Sequence, residues 1–358
     1  MAWKIVNHTT IYREKSWYAA HPNLVRTPSG DLLVLFHRCP ASEFYTHGHP
    51  LFDMRACRST DEGKTWSEAH FVTADPLGGI LDTGTHTLPD GSIFLHCSNM
   101  ELIPKDPKHH TNEWTTQRGI PFWVRSRDDG RAWTEPERFP PIPDAVWGHP
   151  ATHSGVCRSG LVLVGDRLLL PSKATDKPDG AFPYFGMLRI SKDLGDSWEY
   201  GGRILEDEVC HFSEPAIHLT PDGKLIVLYR CHPDPQKWQA EPCLALVASE
   251  DGGKTWSPWK LTNLQGSPGH ILGLRDGRMF ITVGTRWAGQ RGCTARVVEP
   301  EGHDLESTPD IVIRSDSKES DCGYPWAVEL KDGRVLAVYY YVYADGGRGI
   351  EGTILEEH

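Results

Sequence analysis

Along most of the chain, short apolar runs alternate with polar turn signals, and helical spacing of apolar residues is nearly absent. The unit repeats. A β-rich strand, a turn built on glycine and aspartate, and a second apolar strand recur at 21–38, 82–99, 154–174, 213–230, 267–286 and 322–341, which predicts six hairpins. Between them lies a second repeat. "STDEGKTW" (59–66), "SRDDGRAW" (126–133), "SKDLGDSW" (191–198) and "SEDGGKTW" (249–256) share Ser-x-Asp-x-Gly-x-x-Trp, at intervals of roughly sixty residues. In each, the aspartate is suited to hold turn amides, the glycine to take a positive φ, and the tryptophan to pack on the next layer. These residues are read as structural. The stretch "VEPEGHDLES" keeps neither the spacing nor the tryptophan, so the last two units lack a recognisable box.

Six such units fit the blades of a β-propeller, in which each four-stranded sheet buries its faces against its neighbours. The expected fold is therefore all-β, a single six-bladed propeller over residues 1–358. The ring must close, and "WKIVNHTTIYR" is expected to add a strand to the blade containing "GIEGTILEEH", removing an exposed edge.

Composition narrows the partners. A net charge of -11 argues against nucleic acid or anionic lipid, both of which need a basic surface. No apolar stretch is long enough to span a bilayer, and the first residues break any leader-like run with Lys4, Asn7, Arg13 and Glu14. The nine cysteines are scattered singly, without a C-x-x-C pair, and suggest neither a disulfide framework nor a zinc knuckle. A cytoplasmic location is the expectation for the sequence as given, with a mature exported form as the alternative. Histidine pairs at 47/49, 109/110 and 149/153 fall on loops at spacings that define no ligand geometry, so no metal or cofactor is expected.

In a propeller the first strand of each blade lines the axis. Residues that open it, or end the second strand, gather around the mouth away from the boxes. Here they are His21, Arg38, Asp82, Asn99, Ser154, Lys173, Glu214, Arg230, His270, Arg286 and Tyr324. Packing alone would not choose so polar a set at a convergent place. Tyr324 stands out between Gly323 and Pro325, two residues unsuited to a sheet interior, and the proline is expected to restrict it to an extended backbone.

With its boxes, six units and polar ring, the chain resembles the sialidase superfamily of Asp-box (BNR) repeat propellers over essentially its whole length. The resemblance implies a glutamate opening the fourth inner strand and an arginine closing that hairpin, matched by Glu214 and Arg230. It implies further arginines at Arg38 and Arg286, and a tyrosine nucleophile at Tyr324. The chemistry is coherent. A phenol with a pKa near 10 attacks at neutral pH only if a carboxylate takes its proton, so Glu214 must lie within hydrogen-bond reach. A tyrosine also suits a substrate whose anomeric carbon bears an anion, which would repel a carboxylate nucleophile.

The sequence departs from the family at two points. Sialidases open the first inner strand with an Arg-Ile-Pro motif whose arginine clamps the substrate carboxylate; here "AHPNLV" puts His21 in that place. Losing one charge-assisted contact, worth roughly 1.5 to 3 kcal/mol, weakens carboxylate binding about ten- to a hundred-fold. The family's general acid is an aspartate in the following loop, where Glu43 and Asp53 are the leading carboxylic acids here and His47 and His49 are candidates to contact the sugar or to serve as the acid themselves. Asp82 is a further candidate for substrate contact. The expected activity is exo-acting, retaining hydrolysis of a terminal, anionic sugar, with a carbohydrate as the expected substrate partner. Two alternatives are a lyase acting on uronic-acid glycans through His21, Tyr324 and Arg230, and a glycan-binding propeller without turnover.

Overall fold

The computed structural model describes residues 2–41, 49, 51–75, 78–104, 114–118, 120–143, 154–155, 158–177, 183–232 and 242–358. Its secondary structure is all strand, in six antiparallel sheets arranged as successive blades. The first blade runs from axis to rim through Trp17–Arg26, Leu32–Pro40, Asp53–Ser59 and His70–Ala74. The inner strands of the others are Gly79–Thr87, Ser154–Gly155 with Val162–Val164, His211–Leu219, Gly269–Gly273 and Gly323–Glu329. The sixth blade takes its rim strand from the other end of the chain. Trp3–Arg13 pairs antiparallel with Arg348–Glu357, from Trp3 opposite Glu357 to Arg13 opposite Gly349, so the expected closure is formed. The backbone groups of the last strand are thereby paired on both sides.

Alternation along each strand explains the layering. Leu32, Val34 and Phe36 point toward blade six and join Tyr12, Leu336, Val338 and Ile350 in one buried cluster. Leu33 and Leu35, on the opposite face of the same strand, join Ile80, Ile93, Leu95 and Val124 of blade two. The apolar core thus lies between blades rather than along the axis, as expected when both faces of a sheet must be covered. Truncating a fully buried leucine such as Leu35 to alanine costs about 2 to 5 kcal/mol.

The boxes form turns as the sequence predicts, and each joins the third strand of a blade to the fourth. In the first, Asp61 accepts from the Thr65 amide at 2.9 Å and Ser59 Oγ accepts from the Gly63 amide at 2.8 Å. Gly63 has φ +83°, and a Cβ there would come within 3.0 Å of Leu336 in blade six. Glycine is needed both for the turn and for the close approach. Trp66, Trp133, Trp198 and Trp256 each pack into an inter-blade cluster. Because strands alternate in direction, the boxes share a face with the turns between first and second strands. The starts of the inner strands open on the other face.

Candidate active site

At that other mouth, four inner strands skip out of regular pairing among the described residues, and the third is interrupted between Gly155 and Val162. The ladder of first with second strand skips between Ala20 and Asn23, Leu81 and Thr83, Ser213 and Ala216, and Gly323 and Trp326. Inside the skips, His21, Asp82, Glu214 and Tyr324 have φ of 49°, 37°, 45° and 50°. The extended backbone expected for Tyr324 ahead of Pro325 is therefore corrected: the bulge overrides the pre-proline preference and holds the residue in the left-handed region. Such positions cost about 1 to 3 kcal/mol each and concentrate at functional sites.

The bulges bring the side chains together. The Tyr324 hydroxyl donates to Glu214 Oε1, while Arg230 Nη1 donates to Glu214 Oε2 at 2.7 Å and Arg230 Nε to His232 Nε2 at 2.8 Å. The Arg286 guanidinium lies 4.9 Å from the Tyr324 ring centroid, and its Nε donates to the Cys322 carbonyl at 3.1 Å. Its Nη2 is buried and has no hydrogen-bond partner among the described residues. The His21 ring stacks on Tyr324 at 3.7 Å with 9° between planes, and its Nδ1 is 3.7 Å from Asp82 Oδ1.

Electrostatics assigns the resting protonation. Burial alone pushes the Glu214 carboxyl up, but the Arg230 and Lys173 charges, with hydrogen bonds from Tyr324 and Arg230, outweigh it and hold the group below the usual carboxylate range. Burial pushes the Tyr324 phenol well above its ordinary value, and the Glu214 and Asp82 charges add to this while Arg286 and Arg230 oppose it. The pair rests as phenol and carboxylate, with the proton on the shared hydrogen bond and two guanidinium groups beside it. A group that draws negative charge onto the phenolic oxygen finds both a base and counter-charges in place.

Tyr324, Glu214, Arg230, Arg286, His21 and Asp82 thus converge. Arg38 does not join them: its Nη1 donates to the Tyr12 hydroxyl at 2.5 Å, and its guanidinium lies 4.0 Å over Trp17 and 3.6 Å from Glu14. Asp53 is held through both oxygens by Arg55, at 3.1 Å and 2.5 Å, with Arg38 at 4.0 Å. His49 Nδ1 accepts from the Leu51 amide at 3.2 Å, while Glu43 and His47 lie outside the described residues. Trp326 is 4% exposed and stacks on His270 at 4.2 Å, so it packs between blades. Among the described residues no group of three or more His, Cys, Asp or Glu is placed to hold a metal ion.

Two contributors escaped the sequence reading. Asp321 accepts from the hydroxyls of Tyr18 at 2.9 Å and Tyr340 at 2.6 Å and lies 3.4 Å from Arg348, forming a polar wall behind the Tyr324 ring. Its place just ahead of the sixth inner strand was the available signal. Arg158 lies beneath Tyr324, and no repeat position marks it. A cavity of about 490 Å3 opens on the box-side mouth, lined by Leu24, His86, Leu161, Ile217, His270 and Trp326. It is separate from the Tyr324–Glu214 pair.

Residues 108–337 match the family model of the BNR repeat-like domain. The chain is 22% identical over 293 residues to a sialidase of Paraclostridium sordellii, covering 77% of this chain and 67% of the relative. It is 24% identical over 224 residues to a sialidase of Clostridium perfringens, covering 60% of this chain and 55% of that relative. The chain therefore corresponds to only part of these longer proteins. Among solved structures it resembles a protein of unknown function from Dyadobacter fermentans, with 28% identity, 99% of both chains covered and a TM-score of 0.88. It also shares its fold with an α-L-arabinanase of Penicillium chrysogenum complexed with arabinobiose, at 16% identity, 98% of both chains covered and a TM-score of 0.68.

Proposed function

The chain belongs to the BNR repeat-like domain family, within the sialidase superfamily, and from that premise we propose that it is an exo-acting glycoside hydrolase that cuts a terminal, anionic sugar with retention. The observation that carries this reading is the Tyr324 hydroxyl on a Glu214 carboxylate that Arg230 pins from the other side.

In the proposed reaction Tyr324 attacks the anomeric carbon as Glu214 takes its proton, and the sugar passes to the phenolic oxygen. Water then releases it, giving its proton to the group that had protonated the leaving group, while Glu214 returns the other proton to Tyr324. Arg230 and the unpartnered Nη2 of Arg286 are suited to the sugar's anionic group, since a buried guanidinium N–H lacking an acceptor is costly until a ligand supplies one. Of the two leading carboxylic acids, Asp53 is engaged by Arg55, so we take Glu43, ahead of His47 and His49, as the group that protonates the leaving group. His21, stacked on Tyr324, braces the nucleophile instead of clamping a carboxylate, which favours sugars whose anion needs fewer than three arginines.

The test is Tyr324→Phe, assayed on 4-methylumbelliferyl glycosides of N-acetylneuraminic acid and of uronic acids, with product configuration followed by proton NMR. The expected result is wild-type release with retention and loss of at least about a thousand-fold in the variant. Full activity in the variant would sink the mechanism. A lyase reading has its own support in the His21–Tyr324 stack. It predicts an unsaturated product that absorbs in the ultraviolet, which hydrolysis never yields.

A further inference from the structure

Arg158 is 1% exposed, and both of its terminal nitrogens donate to backbone, while its Nε is buried without an acceptor among the described residues. Its Nη1 donates to the Pro22 carbonyl at 2.7 Å, and its Nη2 to the carbonyls of Tyr324 and Pro325, each at 2.8 Å. These acceptors belong to the bulges that carry His21 and Tyr324, where the ladder is broken and its carbonyls are turned off the sheet. One guanidinium from blade three therefore ties blade one to blade six across the axis, directly under the stacked His21 and Tyr324 rings. Its carbon lies 5.5 Å from the Tyr324 ring centroid and 4.9 Å from that of Trp326.

We propose that Arg158 is a positioning residue for the nucleophile: it holds the Tyr324 bulge in its left-handed conformation, aims the hydroxyl at Glu214, and sets a fixed positive charge beneath the oxygen that becomes anionic. The role of that charge rests on the reading of Tyr324 as nucleophile; the geometric role does not. A buried carbonyl without a donor is unfavourable, so three of them turned toward one point require a cation or several waters there. The planar fork reaches acceptors on two bulges at once, a geometry that lysine, with donors on a single atom, does not reproduce. Burial brings Arg158 down to about 10, with the Tyr324, Glu214 and Asp82 charges pulling the other way, so it remains charged at neutral pH.

The test compares Arg158→Met and Arg158→Lys, first without substrate. Crystal structures of Arg158→Met are expected to show Tyr324 outside the left-handed region and its hydroxyl beyond about 3.5 Å from Glu214, the limit of a hydrogen bond. Arg158→Lys is expected to retain the charge but to lose the bridge to one of the two bulges. On the glycosides above, kcat should fall about a hundred-fold in the Met variant and less in the Lys variant, with KM changed less than about threefold. An unchanged Tyr324 backbone and Glu214 contact in Arg158→Met, or a kcat within about twofold of wild type, overturns the proposal. If Arg158→Met does not fold, Arg158→Lys decides: an intact bridge to both bulges with unchanged kcat overturns it equally. Tyr324→Phe measured alongside separates the two readings, because its retained activity removes the nucleophile while leaving the crystallographic prediction to stand or fall alone.

Discussion

Replacing Glu214 with glutamine keeps the shape of the side chain and removes both its charge and its capacity to take a proton. Two effects follow, and they separate. Arg230 then faces a neutral amide in a buried place, but keeps His232 on its Nε at 2.8 Å and an amide oxygen where the carboxylate stood. The full penalty for breaking a buried pair, about 3 to 5 kcal/mol, is therefore reduced to roughly 2 to 3 kcal/mol. With an unfolding entropy of about 2.1 cal/mol/K per residue, that lowers Tm by only about 3 to 4 °C in a chain of 358 residues, so the variant is expected to fold. The chemistry suffers more. With the phenol of Tyr324 raised well above its ordinary value, less than about one part in a thousand is ionised at pH 7 without a base. General-base catalysis contributes about 10²- to 10⁴-fold, or roughly 2.7 to 5.5 kcal/mol of barrier. The expected result is a fall in kcat of at least about a hundred-fold with KM changed only a few-fold, read on the same aryl glycosides.

The pH profile gives the sign. Glu214 is held below the usual carboxylate range, so wild-type kcat/KM persists to acid and fails only as that group is protonated. In Glu214→Gln the rate instead follows ionisation of the phenol and rises about tenfold per pH unit through neutrality. Combined with Tyr324→Phe, the glutamine variant should add almost nothing, because the two groups act as one unit. A kcat within about tenfold of wild type, a flat pH profile, or additive losses in the double variant would each refute the reasoning.

Two further outcomes concern the scaffold. Asp61→Ala removes acceptors for the Lys64 and Thr65 amides and the Thr65 hydroxyl, and should cost about 1 to 3 kcal/mol in urea unfolding while leaving kcat unchanged, since the box lies at the opposite mouth. A changed kcat would mean that the boxes reach the site. Burial holds His86 at about 4 and pushes His96 and His270 down as well, so the unfolded chain binds more protons between about pH 4 and 6.5. Stability should be complete above about 6.5 and fall as the pH drops through that window, with His86 alone contributing roughly 3 kcal/mol. Urea unfolding at pH 7 and 4.5, with His86→Asn as the control that flattens the slope, checks this; equal stability at both values contradicts it.

What could be read in advance is what repeats. The alternation through Leu32 and Phe36 fixes which side chain faces which neighbouring blade, and the boxes announce their own turns, because both depend on residues a few positions apart. Glu214, Arg230, Arg286 and Tyr324 were legible for the same reason, as equivalent places in successive hairpins. Arg38 shows where the logic stops. It holds the same hairpin position as Arg230, but the strand that closes the ring brings Tyr12 beside it and Trp17 covers it, and no local pattern encodes a neighbour from the chain terminus. Arg158 is the converse case. It falls between the short strands Ser154–Gly155 and Val162–Val164, and its worth comes only from carbonyls in two other blades.

The backbone of the four bulged residues carries the deepest link between sequence and site. Three of them precede proline, as His21-Pro22, Glu214-Pro215 and Tyr324-Pro325, a shared dipeptide that looks like a strand breaker. In a bulge proline has a different value. It lacks the N–H that the broken ladder would leave unsatisfied, so the chain can step out of pairing without burying an orphan donor. What remains is the strain of the left-handed residue, about 1 to 3 kcal/mol at each of four places, a sum comparable to the net stability of a typical domain. Regular ladders on either side must hold it, and blade five shows the alternative. Its inner strand pairs from Gly269 onward without a skip, and His270 lies against Trp326, away from Tyr324. That blade reaches the site through Arg286 of its second strand instead. Where the inner strand buckles it brings a polar side chain to the axis, and where it stays regular it delivers packing.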